Sequence, residues 1–118
     1  MPLSEVTNQD ISGYKWTGGP PPEEKNFVPN LHFVEISKDR KVYIGERGQN
    51  RIQVFTKQGK FVTSFQVAPN TPSRGDICDP RKFGMCGSTY NLTFSHDPGQ
   101  QYVLVADGTN HRIWIHDR

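Results

Sequence analysis

"VYIGERGQNRIQVF", residues 42–55, alternates apolar and polar side chains, breaks at Glu46-Arg47-Gly48-Gln49-Asn50, and resumes the alternation behind Arg51. Period-two alternation on both sides of a short polar break reads as two β-strands joined by a tight turn. The device recurs. Residues 103–116, "VLVADGTNHRIWIH", align with it without a gap at an offset of 61, placing Val42 on Val103, Ile44 on Val105, Glu46 on Asp107, Arg51 on Arg112, Ile52 on Ile113 and Val54 on Ile115. Internal repetition takes precedence over other sequence signals, because a missed repeat mis-assigns the whole fold.

The flanking sequence extends each copy. "LHFVEIS" (31–37), "KVYIGE" (41–46), "NRIQVFT" (50–56) and "KFVTSFQV" (60–67) are short runs rich in β-branched and aromatic residues, separated by "KDR", "RGQ" and "KQG". They predict four strands in an antiparallel meander. Residues 69–89 interrupt the rhythm with Pro, Gly and Asp, and an unstructured stretch of that length is more often functional, or an insertion, than a plain connection. The meander restarts with "YNLTFS" (90–95), "QYVLVAD" (101–107) and "HRIWIHD" (111–117), and no fourth run follows before Arg118. No segment carries a sustained 3.6-residue apolar stripe, so helices are expected to play no part. Residues 1–30 are polar and broken by "GGPPPEEK" (18–25), with "GYKWTG" (13–18) the one candidate for an extra strand. The expected organisation is an irregular segment over 1–30, a first repeat over 31–68, an insertion over 69–89, and a second repeat over 90–118 that lacks its outer strand.

Bulk composition excludes several function classes. The 118 residues allow one domain with a modest core, and the 14 basic against 12 acidic residues leave a net charge of +2. That balance is too weak for a nucleic-acid or membrane footprint. No apolar run approaches the roughly 20 residues of a membrane span. Aromatic residues at 11% argue against disorder. The opening "MPLSEVTNQD" is polar and carries no secretory signal, so the protein is expected either to stay where it is made or to begin further upstream.

A four-stranded meander recurring at about 40 residues, here lengthened by an insertion, is the signature of a β-propeller blade. "VYIGERGQNRIQVFTKQGKFVTSF" (42–65) resembles the NHL repeat: an apolar strand, an acidic residue, a Gly/Asn turn, Arg-Ile-Gln-Val-Phe, and a closing strand. "YVLVADGTNHRIWIHD" (102–117) resembles it as closely, and "FSHDPGQQYVLVADGTN" (94–110) is similar to bacterial NHL proteins. The resemblance implies an all-β propeller of roughly six blades, of which this chain holds about two, and so a fragment of a longer protein, which is the expectation favoured, a chain that self-associates to complete the ring, or a marginally stable two-blade unit.

In such a blade the second and third strands must reverse sharply, and Gly48 and Gly108 are expected to supply φ > 0 there. Glu46 with Arg51, and Asp107 with Arg112, are expected to pair across their hairpins as structural contacts that fix register. Trp114 and Phe55 are read as core between blades. Cys78 and Cys86, with seven residues between them in "CDPRKFGMC", match neither zinc nor C-x-x-C redox spacing. Either a disulfide staples the insertion or the two thiols are free. "RGD" (74–76) is too short to carry an adhesion reading. "NLT" (91–93) has the form of a glycosylation acceptor, but Asn91 is expected on a packed inner strand, which argues against modification.

Two functions follow from the resemblance. The first is a binding scaffold, with a protein or small-molecule ligand at the propeller face and Arg74, Asp76, Asp79, Arg81, Lys82 and Phe83 of the insertion as contact residues. The second is a metal-dependent lyase or hydrolase resembling peptidyl-hydroxyglycine lyase. There a His opening the innermost strand helps to hold zinc; His32 stands at that place, with Tyr90 at the matching place of the second repeat. Zinc or calcium is implied only through this likeness, and catalytic zinc needs about three protein ligands. His96, His111 and His116 fall in turns or on an outer strand. The likeness to secreted bacterial proteins, with the cysteine pair, suggests a periplasmic or extracellular setting.

Overall fold

The computed structural model describes residues 31–73 and 86–118. Seven strands lie where the alternation predicts them: β1 Leu31–Ile36, β2 Lys41–Glu46, β3 Arg51–Thr56, β4 Phe61–Gln66, β5 Asn91–Phe94, β6 Tyr102–Asp107 and β7 Arg112–Asp117. They form two antiparallel sheets in simple sequential order, four strands (β1–β4) and then three (β5–β7), and the sheets do not close on themselves. The described helical content is a single 3-10 turn at Arg47–Gln49. "GYKWTG" lies outside the described residues.

The offset of 61 holds in three dimensions. Glu46 stands opposite Arg51 at the head of the β2–β3 ladder, and Asp107 opposite Arg112 at the head of β6–β7. A second repeated device sits at the other end of the sheets. Ser37 and Asp39 recur 58 residues on as Ser95 and Asp97, and in each turn the serine hydroxyl donates to the aspartate. The serine Oγ then accepts from the first amide of the next strand, Lys41 N at 3.1 Å and Tyr102 N at 3.0 Å. Short polar side chains that satisfy nearby backbone donors are what make such turns tight.

One face of each sheet builds the common core. Tyr43, Ile52, Val54 and Val67 of the first repeat pack with Leu92, Phe94, Val103 and Val105 of the second, flanked by Phe33, Phe65 and Trp114. The Tyr43 and Phe94 rings meet edge-on at 5.0 Å. Full burial of each such aliphatic or aromatic side chain contributes about 1.5–3 kcal/mol. Arg118 clamps the sheets together from outside the core, donating from Nε to Tyr43 Oη at 3.1 Å and ion-pairing with Asp39 at 2.5 Å.

The faces in contact are not equivalent. Under the offset, Leu104, Ala106, Ile113 and Ile115 correspond to Tyr43, Gly45, Ile52 and Val54. The first sheet therefore buries one face against the second, while the second turns the corresponding face to solvent. Ile113 and Ile115 are 62% and 66% exposed there, beside a shallow hollow of about 280 Å³ lined by Thr93, Leu104 and Ala106. On the far face of the first sheet, Val42, Ile44 and Phe55 form a second buried cluster with Phe61. Asn91, expected to be packed, is exposed: it starts β5 with its side chain on the open face.

The turn chemistry differs from expectation. Neither Gly48 nor Gly108 has a positive φ; Asn50 (φ 54°) and His111 (φ 55°) hold the left-handed position. The turn opens with the 3-10 segment, so the left-handed residue falls last, just before the arginine. Gly108 is small for another reason: a Cβ there would lie 3.1 Å from the Tyr90 ring.

Candidate functional site

The end of the sheets carrying the β2–β3 and β6–β7 turns gathers the polar residues that the repeat reading singled out. In the first repeat, Arg51 donates to both oxygens of Glu46, from Nε at 2.5 Å and from Nη2 at 2.9 Å, and Gln53 Nε2 donates to Oε2 at 3.0 Å. Arg51 is 4% and Glu46 0% exposed. A fork-to-fork pair with no access to water is a structural element, since removing one partner strands the other charge.

The second repeat uses the same positions differently. Asp107 is buried, but its carboxylate accepts from Trp114 Nε1 at 2.8 Å, from Asn110 Nδ2 at 2.7 Å and from Asn110 N at 3.0 Å. Trp114 occupies the place of Gln53 and, like it, donates to the acid. Aspartate is one methylene shorter than glutamate, and these three donors take up its oxygens. Arg112 is consequently exposed and, among the described residues, its guanidinium makes no ion pair; it lies 5.7 Å from the Trp114 ring centre. The expected Asp107–Arg112 contact is thus a backbone pairing without a side-chain one.

Between these turns the insertion leaves and rejoins the sheets. Asn50, 2% exposed, spans its two ends: Nδ2 donates to Thr71 O at 2.8 Å, and Oδ1 accepts from Ser88 N at 2.9 Å and Ser88 Oγ at 3.1 Å. Gly87 N donates to Pro72 O at 2.8 Å and closes the stem. Gly87 has φ +77°, and a Cβ there would lie 2.3 Å from Arg47 O, so this position requires glycine. Arg47 crosses the stem, donating from Nε to Cys86 O at 2.6 Å and from Nη2 to Tyr90 Oη at 2.8 Å, with its guanidinium carbon 4.1 Å over the Tyr90 ring. Thr109 Oγ1 donates to Gly87 O at 2.6 Å. Cys86 is disulfide-bonded; Cys78, the chain's other cysteine, lies outside the described residues, as do Arg74, Asp76, Asp79, Arg81, Lys82 and Phe83.

Beside the stem is a cleft of about 330 Å³, with Ala68–Pro72 on one wall and Asn110, Arg112 and Trp114 on the other. Asn110 Nδ2 donates to Thr71 Oγ1 at 2.9 Å and holds the walls together. The sequence reading missed Asn50, Arg47 and this cleft. Position 50 was legible as a turn asparagine, but its partners Thr71 and Ser88 lie 21 and 38 residues away.

His32 sits next to Tyr90, its counterpart in the second repeat. Nδ1 donates to Tyr90 O at 2.6 Å, and the rings meet edge-on at 5.5 Å. That leaves Nε2 as the one nitrogen able to bind a metal. Among the described residues no three His, Cys, Asp or Glu side chains converge as a metal site would require, so these residues by themselves do not fit catalytic zinc. Also among the described residues, no helix is long and apolar enough to cross a membrane.

At the opposite end of the sheets, the carboxyl groups of the two serine–aspartate turns titrate low. Burial works against Asp39, but hydrogen bonds from Lys41, Ser37 and Arg118 hold it well below the usual carboxylate range. Hydrogen bonds from the Ser95 hydroxyl and Gln101 N lower Asp97.

No family model matches the chain, and neither a curated protein nor a solved structure matches it.

Proposed function

We propose that this chain is a binding scaffold of NHL-like propeller repeats, with the insertion-bearing rim as its contact surface. The observation that carries the proposal is the stem. Asn50 and Arg47 of the β2–β3 turn and the Gly87–Pro72 bond hold both ends of the insertion together, beside an open cleft one wall of which carries Trp114 and Arg112. Loops held by a rigid scaffold are where recognition concentrates. Panning a random peptide display library against the immobilised chain tests it. Binders that are lost when residues 74–85 are replaced by a Gly-Ser linker, or when cleft residues are changed, support the proposal. Binders indifferent to both changes overturn it.

The same repeat logic gives the scaffold a way to assemble. The open face of the second sheet corresponds to the face with which the first sheet packs, so its occupant is a sheet of the same repeat, supplied by a second copy of the chain. On the copy's first sheet the corresponding contact falls to Val34 and Ile36 of β1, which are exposed, because Val42, Ile44 and Phe55 on the same face are already buried within the chain. Such head-to-tail contacts are heterologous and close into a ring when the rotation allows. Light scattering on the pure chain, with Ile115→Lys as control, reads this directly: a multimer abolished by the substitution supports assembly, and a folded monomer overturns it.

A further inference from the structure

We propose that the cleft between Ala68–Pro72 and Trp114 binds an acidic peptide segment, with Arg112 taking a side-chain carboxylate and the Trp114 ring taking the neighbouring side chain. This rests on the rim being a contact surface and adds the class of ligand. The argument comes from the divergence of two equivalent arginines. Arg51 spends its donors on a buried glutamate, whereas Trp114 and Asn110 saturate Asp107 and leave Arg112 at the cleft mouth. A guanidinium carries five N–H donors in a fixed fork, matched to carboxylate geometry and charged at every physiological pH. Among the described residues, those of Arg112 have no acidic partner.

The rest of the cleft favours an extended chain as the carrier of that carboxylate. Its volume of about 330 Å³ lies at the lower end of small-molecule pockets, and it is open rather than enclosing. One wall is a strap of backbone in which Pro69 and Pro72 present apolar rings and no N–H. Tryptophan and arginine side by side at a surface depression are the residue types that dominate the energetics of peptide and protein contacts. The Trp114 ring is itself fixed, because its Nε1–H is committed to Asp107, so little rotamer freedom is lost on binding.

The test is fluorescence anisotropy on the full chain with a labelled peptide of alternating Glu and Leu, alongside its Gln/Leu counterpart. The Glu peptide is expected to bind at least about tenfold more tightly, with an affinity that falls as salt rises. Arg112→Gln is expected to weaken the Glu peptide by about tenfold and leave the Gln peptide unchanged. Because Arg112 is exposed, its variant keeps the parental melting curve, which separates loss of binding from loss of fold. Equal binding of the two peptides, no binding of either, or an unaltered affinity in Arg112→Gln overturns the proposal. If Arg112→Gln binds normally while the Gly-Ser replacement of 74–85 does not, the rim reading survives and this ligand class fails.

Discussion

The turn ending at Arg51 and the turn ending at Arg112 share a ladder register and a left-handed residue, yet they handle charge in opposite ways. In the first, glutamate, arginine and glutamine close into one buried group from which water is excluded. In the second, an aspartate shorter by one methylene is satisfied by tryptophan and asparagine, and the arginine is turned out. One repeat closes its charges into the core, and the other leaves a cation and a flat ring at an open cleft. A repeated backbone device thus sets geometry without setting use; use follows from which donor reaches the acid first.

The largest expected effect tests the first turn. Glu46→Gln leaves Arg51 buried without a counter-charge and should cost about 3–5 kcal/mol, read as a shift in the urea midpoint. Arg112→Gln should change stability by less than about 0.5 kcal/mol, as exposed substitutions do. Similar costs for the two would mean that Arg112 is structural after all.

Asn50 and His111 share the left-handed conformation but not its consequences. Asn50→Gly keeps the backbone angle and removes the staple across the insertion, so a loss of about 2–3 kcal/mol is expected, together with faster amide exchange at Gly87. His111 makes no side-chain hydrogen bond among the described residues. His111→Gly therefore relieves left-handed strain and should raise stability by about 0.5 kcal/mol. Destabilisation by both substitutions would show that His111 has a structural contact as well.

Acid tests the opposite end of the sheets. The folded chain keeps Asp39 ionised below pH 4, where the unfolded chain takes up a proton. The stability that this carboxylate contributes is therefore complete above about pH 4 and is lost as pH falls towards its lower folded value. Asp39→Asn should flatten that part of the pH–stability curve and loosen the Arg118 clamp. An unchanged acid limb would place the titration elsewhere.

Strand positions were legible because alternation and turn residues are local signals, and every described strand falls within a run that the sequence marks out. The repeat was legible for the same reason, and with it the pairing of position 46 with 51 and of 107 with 112. What stayed hidden was long-range. Nothing in "DGTN" says that Trp114, rather than Arg112, will reach Asp107, since that depends on a side-chain length and a rotamer across the ladder. Nor does "GQN" announce that Asn50 bonds to residues at both ends of the 69–89 insertion. The glycine expectation failed more simply: Gly48 and Gly108 precede the position that takes φ > 0, which falls at the end of each turn, after a 3-10 segment in the first.

The closed stem has a consequence for change over time. Where Pro72 and Gly87 meet, the chain entering the insertion and the chain leaving it are already one hydrogen bond apart, held by groups belonging to the sheets. What lies between can lengthen, shorten or be exchanged with only a slow growth in closure entropy, about 0.6 kcal/mol for each doubling. The rim is in that sense a socket. Selection, or a designer grafting a foreign loop, can rewrite the segment between residues 72 and 87 while the seven strands carry on as before.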